Sequence, residues 1–99
     1  MEFKIEQVGG IGDYTEKDGA FFAPCGKAFL VLHNNTIEVR TDTNLQKLLT
    51  SKYESVMQSR YFGRGGIEVV LSGQLPEGEI YDLVRLSYNL TEEKGAKTV

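Results

Sequence analysis

Three short apolar segments separated by turn-forming residues place the strongest constraint on how this chain can fold. The first two, residues 20–23 and 28–32, flank Pro24-Cys25-Gly26-Lys27, in which proline and glycine favour a turn. The third, residues 37–40, follows Asn34-Asn35, and asparagine tolerates the positive φ angles of a tight hairpin. Its apolar residues alternate with charged ones, as in a strand with one buried face. Together the three segments predict an antiparallel meander.

Two helical patterns are recognisable after the meander. Thr43-Asn44-Leu45-Gln46 has the form of a capping box, in which the threonine and glutamine side chains satisfy free amides of the first turn. Apolar residues then recur at helical spacing as far as Val56, which predicts an amphipathic helix. The second helix is predicted to begin at Pro76, because a missing N–H costs nothing in a first turn. The inward stripe of that helix consists of Ile80, Leu83, Val84, Ser87 and Leu90.

Two further strands complete the predicted fold. Apolar and charged residues alternate over residues 3–6, and Ile67, Val69 and Leu71 fall on one side of the segment 67–71, which predicts a short strand in each place. The polar stretch that ends at Gly19 is predicted to be a loop. We therefore expect an α+β fold with a mostly antiparallel sheet and both helices packed on one face. A single domain is expected to span residues 1–92, followed by a flexible C-terminal tail at 93–99.

The composition is that of a globular protein from a reducing compartment. Apolar residues make up 40% and charged residues 25% of the chain. No apolar run approaches the roughly 20 residues that cross a bilayer, and the charged N-terminus does not resemble a signal peptide. Because Cys25 is the only cysteine, an intrachain disulfide is excluded. We expect a cytoplasmic protein that does not enter the membrane.

Positive charge is concentrated in the middle of an acidic chain. The net charge is −3, which argues against generic nucleic-acid binding. Residues 40–66, however, carry five basic and two acidic side chains, a local balance of +3, so the remainder carries −6. Such asymmetry predicts a cationic face on an acidic body. The alternative is that these basic residues are scattered over a helix and a loop and simply solvated.

Residues 59–66 form the segment with the most distinctive chemistry. They combine two guanidinium groups, two aromatic rings and three glycines, and they are predicted to form a loop. Arginine contacts phosphates, and aromatic rings stack on bases or insert between them. The alternative is that the aromatic rings pack at the edge of the core while the arginines are solvated. The candidate nucleic-acid-binding residues are Arg60, Tyr61, Arg64, Lys47 and Lys52.

The sequence offers no catalytic, metal-binding or cofactor-binding set. His33, the only histidine, lies beside the predicted turn and is expected to be a surface residue. One histidine and one cysteine do not make a zinc site, and Cys25 is not expected to be reactive. Arg40 is expected to form a cross-strand ion pair with Glu68. We therefore expect a protein that is not an enzyme and holds no metal or cofactor, and no small-molecule ligand is indicated by the sequence.

Four motifs follow one another within residues 20–90. They are a glycine-lysine turn, a strand leading into a leucine-rich helix, a strand ending at a leucine-proline helix start, and a serine-tyrosine helix ending: Gly26-Lys27-Ala28-Phe29, Ile37-Glu38-Val39-Arg40-Thr41-Asp42, Ile67-Glu68-Val69-Val70-Leu71-Ser72-Gly73-Gln74-Leu75-Pro76 and Leu86-Ser87-Tyr88-Asn89-Leu90. In their order and spacing these motifs resemble the MmcQ/YjbR family. The resemblance implies a fold similar to the double-wing DNA-binding domain of the phage transcription factor MotA. It also implies a DNA-binding role. Residues 62–67 stand where the family usually carries a histidine and a tryptophan before its last strand, and this segment contains neither.

Two functional hypotheses follow from these patterns. The first is a small non-enzymatic protein that binds DNA weakly through its glycine-rich basic and aromatic loop. The second is a protein-interaction module or homodimer without nucleic-acid binding, which would use exposed strand edges and the surface around Tyr81 and Tyr88. An enzyme would require a pocket with a perturbed ionisable group near Cys25, His33 or Tyr61.

Overall fold

The computed structural model describes the backbone of residues 2–97 and the side chains of residues 2–93. Within this range, a short 3-10 helix precedes six strands and two α-helices. The 3-10 helix is Ile5–Gln7, and the helices are α1 (Thr43–Lys52) and α2 (Glu77–Lys97). The strands are β1 (Thr15–Lys17), β2 (Ala20–Phe22), β3 (Ala28–Leu32), β4 (Thr36–Arg40), β5 (Val56–Ser59) and β6 (Gly63–Val70).

The strands form one antiparallel sheet that carries both helices on one face. The strand order is β1-β2-β3-β4-β6-β5, and every neighbouring pair is antiparallel. Helix α1 packs on β5 and β6, and α2 packs on β3 and β4. The two helices also line a common groove, so they lie on the same side of the sheet. The α+β fold predicted from the sequence is confirmed.

The core lies between the helices and alternate residues of the two central strands. Ile37 and Val39 of β4 and Ile67 and Val69 of β6 are fully buried, in register with each other. Successive strand side chains point to opposite faces, so the residues between them face away from the helices. The alternation read from the sequence therefore assigned the core face of these strands correctly.

Helix α1 begins and ends differently from the sequence prediction. Its N-cap is Asp42, whose carboxylate accepts a hydrogen bond from the Leu45 amide at 2.7 Å, and Thr43 is the first helical residue. Aspartate competes well for this position because its charge also complements the helix dipole. The helix stops at Lys52, and Val56 is buried in β5 rather than in the helical stripe.

The N-terminal region also departs from the prediction of a strand followed by a loop. Ile5–Gln7 is a 3-10 turn, and Phe3 is buried against Tyr81 of α2 with ring centroids 5.8 Å apart. Strand β1 lies where a loop was predicted. The sequence did not indicate it, because its three residues are all exposed and show no alternation of apolar and polar side chains. Pairing with β2 alone defines this edge strand.

The predicted loop at 59–66 is a hairpin. Residues 60–62, called here the hairpin loop, join β5 to β6, and Ser59 is paired with Gly63. Gly63 has a φ of 64°, the left-handed conformation that commonly closes a three-residue hairpin loop. The last strand therefore begins at Gly63, four residues before the predicted start at Ile67.

Helix α2 follows Pro76, whose carbonyl accepts hydrogen bonds from the amides of Glu79 and Ile80 at 3.1 Å. The inward stripe is centred on Ile80, Val84 and Ser87, which are fully buried. The backbone remains helical through Lys97, and residues 98–99 lie outside the described range, so the flexible tail stays a prediction. No helix within residues 2–97 combines the length and apolar character needed to span a membrane.

Candidate functional site

Two buried glutamates lie opposite each other at the centre of the sheet, on the face away from the helices. Glu38 of β4 and Glu68 of β6, called here the glutamate pair, are Cα partners in the antiparallel ladder. Their exposures are 2% and 5%. Buried carboxylates are costly unless hydrogen bonds and opposite charges compensate them, so their partners define the site.

Glu38 is held by three donors from two directions. His33 Nε2 lies 2.6 Å from one carboxylate oxygen, while Ser59 Oγ and the Tyr61 amide donate to the other at 2.7 and 2.9 Å. Burial raises the pKa of the Glu38 carboxyl, but the hydrogen bonds from His33, Tyr61 and Ser59 outweigh it and leave the pKa below its ordinary value. The ionised carboxylate thus fixes one side of the hairpin loop.

Glu68 fixes the other side of the hairpin loop. Arg60 donates two parallel hydrogen bonds to its carboxylate, from Nε at 3.0 Å and from Nη2 at 2.9 Å, and Thr36 Oγ1 donates at 2.8 Å. The hydrogen bonds from Arg60 lower the pKa of Glu68, against the opposing effect of burial. Bidentate pairing of this kind is directional, so Arg60 is oriented as well as paired.

The predicted ion pair between Arg40 and Glu68 is wrong. Arg40 Nε donates to the Ala28 carbonyl at 2.8 Å, and its guanidinium lies 4.8 Å from the centroid of the Phe62 ring. Arg60 reaches Glu68 from the hairpin loop and takes its place. Arg40 instead supports Phe62 through a cation–π contact, which keeps that ring against the sheet.

The two aromatic residues of the hairpin loop differ in their exposure to solvent. Phe62 is half-buried, and its ring meets that of Tyr61 edge to face at a centroid distance of 4.8 Å. Tyr61 is 54% exposed. The sequence allowed two interpretations of these rings. Phe62 packs at the edge of the core, as in the one, and the Tyr61 ring is accessible, as in the other.

The structure brings three of the five candidate nucleic-acid-binding residues together. Arg60, Tyr61 and Arg64 all belong to the β5–β6 hairpin, and the Arg60 side chain is 74% exposed despite its ion pair. Lys47 and Lys52 lie on α1, across the sheet from the glutamate pair that holds Arg60. The expected single cationic face is therefore split between the two sides of the sheet.

A second surface feature lies between the two helices. The groove between α1 and α2, called here the leucine groove, has a volume of about 230 Å³. Leu48, on the same helix as two of its lining residues, is 59% exposed. One rim carboxylate, Asp82, pairs with Arg85. The groove is lined by Leu45, Leu49, Leu75, Leu83, Leu86, Glu79 and Asp82.

The tyrosine surface proposed for partner binding is covered by the N-terminal segment. Tyr88 is buried, and its hydroxyl donates to the Asp13 carbonyl at 2.9 Å. The Tyr81 hydroxyl donates to Gln7 Oε1 at 2.6 Å, and its ring packs on Phe3. These tyrosines therefore join the N-terminal segment to α2.

Sequence reasoning missed the group formed by His33 and the glutamate pair. His33 was assigned to the surface of a turn, where it does lie, but its ring faces Glu38. Alternation alone put Glu38 and Glu68 on the non-core face, and only the strand register reveals that they meet. Cys25 is exposed and stands apart from this group, with its thiol 3.7 Å from the Thr91 carbonyl.

No protein-family profile matches this chain. No curated protein matches it either. Among solved structures, it is similar to a crystal structure of a protein from Pseudomonas syringae determined by the Northeast Structural Genomics Consortium. The two share 20% sequence identity with a TM-score of 0.66, over 86% of this chain and 82% of the other. This likeness shows the fold, so the chain is a small α+β protein whose antiparallel sheet presents an anchored hairpin.

Proposed function

We propose that this protein binds DNA through the β5–β6 hairpin and acts as a binding protein rather than an enzyme. The observation that carries the proposal is the exposed ring of Tyr61, which lies between Arg60 and Arg64 on a hairpin held by two buried carboxylates. A loop that is already ordered loses little conformational freedom on binding. The resemblance to the MmcQ/YjbR family and its double-wing fold favours the same proposal, and the location that we propose with it is the cytoplasm.

Each residue of the hairpin has a distinct role in the proposal. Arg64 is exposed and would contact a phosphate, while Tyr61 would stack on a base or insert between two. Arg60 would contribute less charge, because Glu68 already neutralises part of it. Lys47 and Lys52 are left out of the interface because α1 lies on the other side of the sheet. With a net charge of −3, binding should be weak and sensitive to salt.

The test is fluorescence anisotropy with labelled single-stranded and duplex DNA over a range of salt concentrations. Arg64→Ala should weaken binding and reduce the slope of log K against log salt by about 0.7–0.9, the value for one phosphate contact. Tyr61→Ala should cost about 1–3 kcal/mol on single-stranded DNA, as expected for one stacked base.

Lys52→Ala is the matched control, because it also removes one exposed cation but from the other side of the sheet. It should leave both the affinity and the salt slope unchanged. The absence of binding at low salt would overturn the proposal. An equal loss in Lys52→Ala and Arg64→Ala would show that any contact is non-specific and does not use the hairpin.

A second candidate function is supported by the leucine groove. Five leucine side chains line it and two carboxylates lie at its edge, in a chain that is acidic overall. The occupant we propose is an amphipathic helix from another protein, with an apolar anchor flanked by lysine or arginine. A second copy of this chain would bring like-charged rims together, which disfavours a homodimer through this surface.

A synthetic lysine- and leucine-rich amphipathic peptide is a suitable probe for this groove in calorimetric titration. Leu83→Glu should abolish its binding, whereas Leu48→Ala, an apolar change outside the groove lining, should leave it intact. Equal binding by wild type and Leu83→Glu would reject the groove. Sedimentation showing a dimer that Leu83→Glu dissociates would assign the groove to a second copy instead.

A further inference from the structure

His33, Glu38 and Glu68 bring one imidazole nitrogen and two carboxylates to a single point on the sheet. Their potential ligand atoms all lie within 4.8 Å of one another. Glu38 and Glu68 are more than nine-tenths buried and fixed opposite each other by the ladder between β4 and β6. His33 comes from the β3–β4 turn, where its amide donates to the Thr36 carbonyl at 2.9 Å. The three side chains are therefore set by backbone pairing rather than by flexible loops.

We propose that this group is a binding site for a divalent transition-metal ion, with Zn²⁺ as its probe. Imidazole nitrogen and carboxylate oxygen are donors that Zn²⁺ accepts, at bond lengths of about 2.0–2.2 Å. In tetrahedral coordination two ligand atoms on one ion therefore lie about 3.3–3.6 Å apart. Small side-chain movements convert the observed arrangement into a three-ligand site, with water completing the coordination.

The contact between His33 and Glu38 requires either a hydrogen atom or a metal ion between the two atoms. His33 Nε2 and the nearest Glu38 oxygen are 2.6 Å apart, and two lone pairs cannot face each other at that distance. A proton on the imidazole satisfies this contact, and a metal ion bound to both atoms satisfies it equally. A metal ion bound to both atoms would take the place of the hydrogen that lies between them.

Hydrogen bonds from neighbouring groups already orient the carboxylates for such a site. Ser59 Oγ and the Tyr61 amide occupy one oxygen of Glu38, and the other oxygen is left toward His33. Thr36 Oγ1 donates to Glu68. Contacts of this type hold ligand groups in place around metal ions and strengthen binding.

Arg60 is the competitor for this site. Its guanidinium occupies both oxygens of Glu68, but most of its side chain is in solvent and can swing outward. Replacing it by a divalent ion exchanges one positive charge for two beside two carboxylates. Removing the positively charged Arg60 side chain should therefore tighten metal binding. This effect distinguishes the proposed site from a cluster in which no cation competes for the carboxylates.

The experiment is calorimetric titration of Zn²⁺ into the full chain at pH 7.5, without an affinity tag. The wild type should bind one ion. His33→Ala and Glu68→Gln should each weaken binding by roughly tenfold or more, by loss of a ligand. Arg60→Ala should bind a few times more tightly than wild type. Cys25→Ser is the control, because the exposed thiol stands apart from the group and is another side chain that Zn²⁺ could bind.

Three outcomes would overturn the proposal: no binding by the wild type at about 100 µM Zn²⁺, unchanged affinity in His33→Ala, or loss of binding in Cys25→Ser. Circular dichroism checks that each variant is folded. If Glu68→Gln does not fold, a second measurement decides between the possibilities. The imidazole resonances of His33 in the wild type should shift on addition of Zn²⁺, and an unchanged spectrum would reject the site.

Discussion

The two faces of the central strands are both buried, but different forces bury them. On one face, fully buried apolar side chains of β4 and β6 meet the helices, and their contribution is non-directional and follows from the area removed from water. On the other face the glutamate pair is almost as deeply buried, although an unpartnered carboxylate there would be strongly unfavourable. One face needs apolar volume, whereas the other needs particular partners.

This difference separates what stabilises the fold from what shapes the hairpin. Apolar burial fixes the layering of helices on the sheet but does not aim any single group. The hydrogen bonds of Glu38 and Glu68 reach Ser59, Arg60 and Tyr61, so they set the orientation of the hairpin loop. Damage to the apolar face should therefore lower global stability, and damage to the polar face should first alter the hairpin and its response to pH.

The largest expected effect is loss of a core side chain from the helix-covered face. Ile67→Ala leaves a cavity at a fully buried position and should cost about 2–5 kcal/mol of unfolding free energy. Because no titratable group is involved, the cost should be the same at pH 7 and pH 4 in urea denaturation. Leu48→Ala, at an exposed position, should change stability by less than about 0.5 kcal/mol. If the cost of Ile67→Ala depended strongly on pH, the proposed difference between the apolar face and the polar face would be wrong.

The next effect concerns the close approach of the hairpin to β4. A Cβ atom on Gly66 would lie 2.5 Å from the Phe62 Cβ and 2.7 Å from the Val39 carbonyl oxygen, so Gly66→Ala should cost about 2 kcal/mol or more. Gly65→Ala is its matched control, because the nearest atoms to that Cβ are at an ordinary 3.8 Å. Chemical denaturation should rank the two variants clearly. Similar stabilities would mean that the hairpin packs less closely than described.

The contribution of the polar face should appear as a fall in the free energy of unfolding at acidic pH. The pKa of Glu68 is lowered in the folded state, so the protein gains stability above the ordinary carboxyl pKa and loses it as the pH falls through the folded value. Glu68→Gln removes the carboxylate charge and leaves Arg60 one acceptor oxygen instead of two, so it should cost about 1–2 kcal/mol at pH 7. That cost should shrink as the pH is lowered from about 5.

Denaturation curves between pH 3 and pH 7 measure this convergence. Glu54→Gln removes an exposed carboxylate and should run parallel to wild type across the range. A constant difference between Glu68→Gln and wild type would mean that the charge of Glu68 contributes nothing to folding.

The sequence was most informative where side-chain periodicity and tertiary packing agree. The alternation of Ile37 and Val39 with charged residues identified both the strand and its buried face, and Asn34-Asn35 marked the turn before it. Strand β1 could not be found this way, because all three of its residues are exposed. Val56 continued the helical spacing by coincidence, since its burial comes from pairing in β5.

The candidate site was only partly predictable for a related reason. Composition located the hairpin and its arginines, but the partner of Glu68 depends on register and on the turn. Arg40 is paired with Gly66, which precedes Glu68 by two residues and lies on the same face of the sheet. An ion pair between Arg40 and Glu68 was therefore a reasonable prediction. Arg40 makes a cation–π contact with the Phe62 ring, and the three-residue loop places Arg60 beside Glu68 in its stead. Neither contact leaves a periodic signal in the sequence.

The smallest expected effect tests the start of α1, at the edge of the helix-covered face. Asp42→Ala removes the side chain that accepts from the Leu45 amide and should cost about 1 kcal/mol, whereas Asp42→Asn keeps an acceptor and should cost only part of that. Thr43→Ala, at the first helical position, should stay within about 0.5 kcal/mol of wild type. Thermal denaturation of the three variants measures the order. A larger loss in Thr43→Ala than in Asp42→Ala would restore the capping box predicted from the sequence and move the start of the helix by one residue.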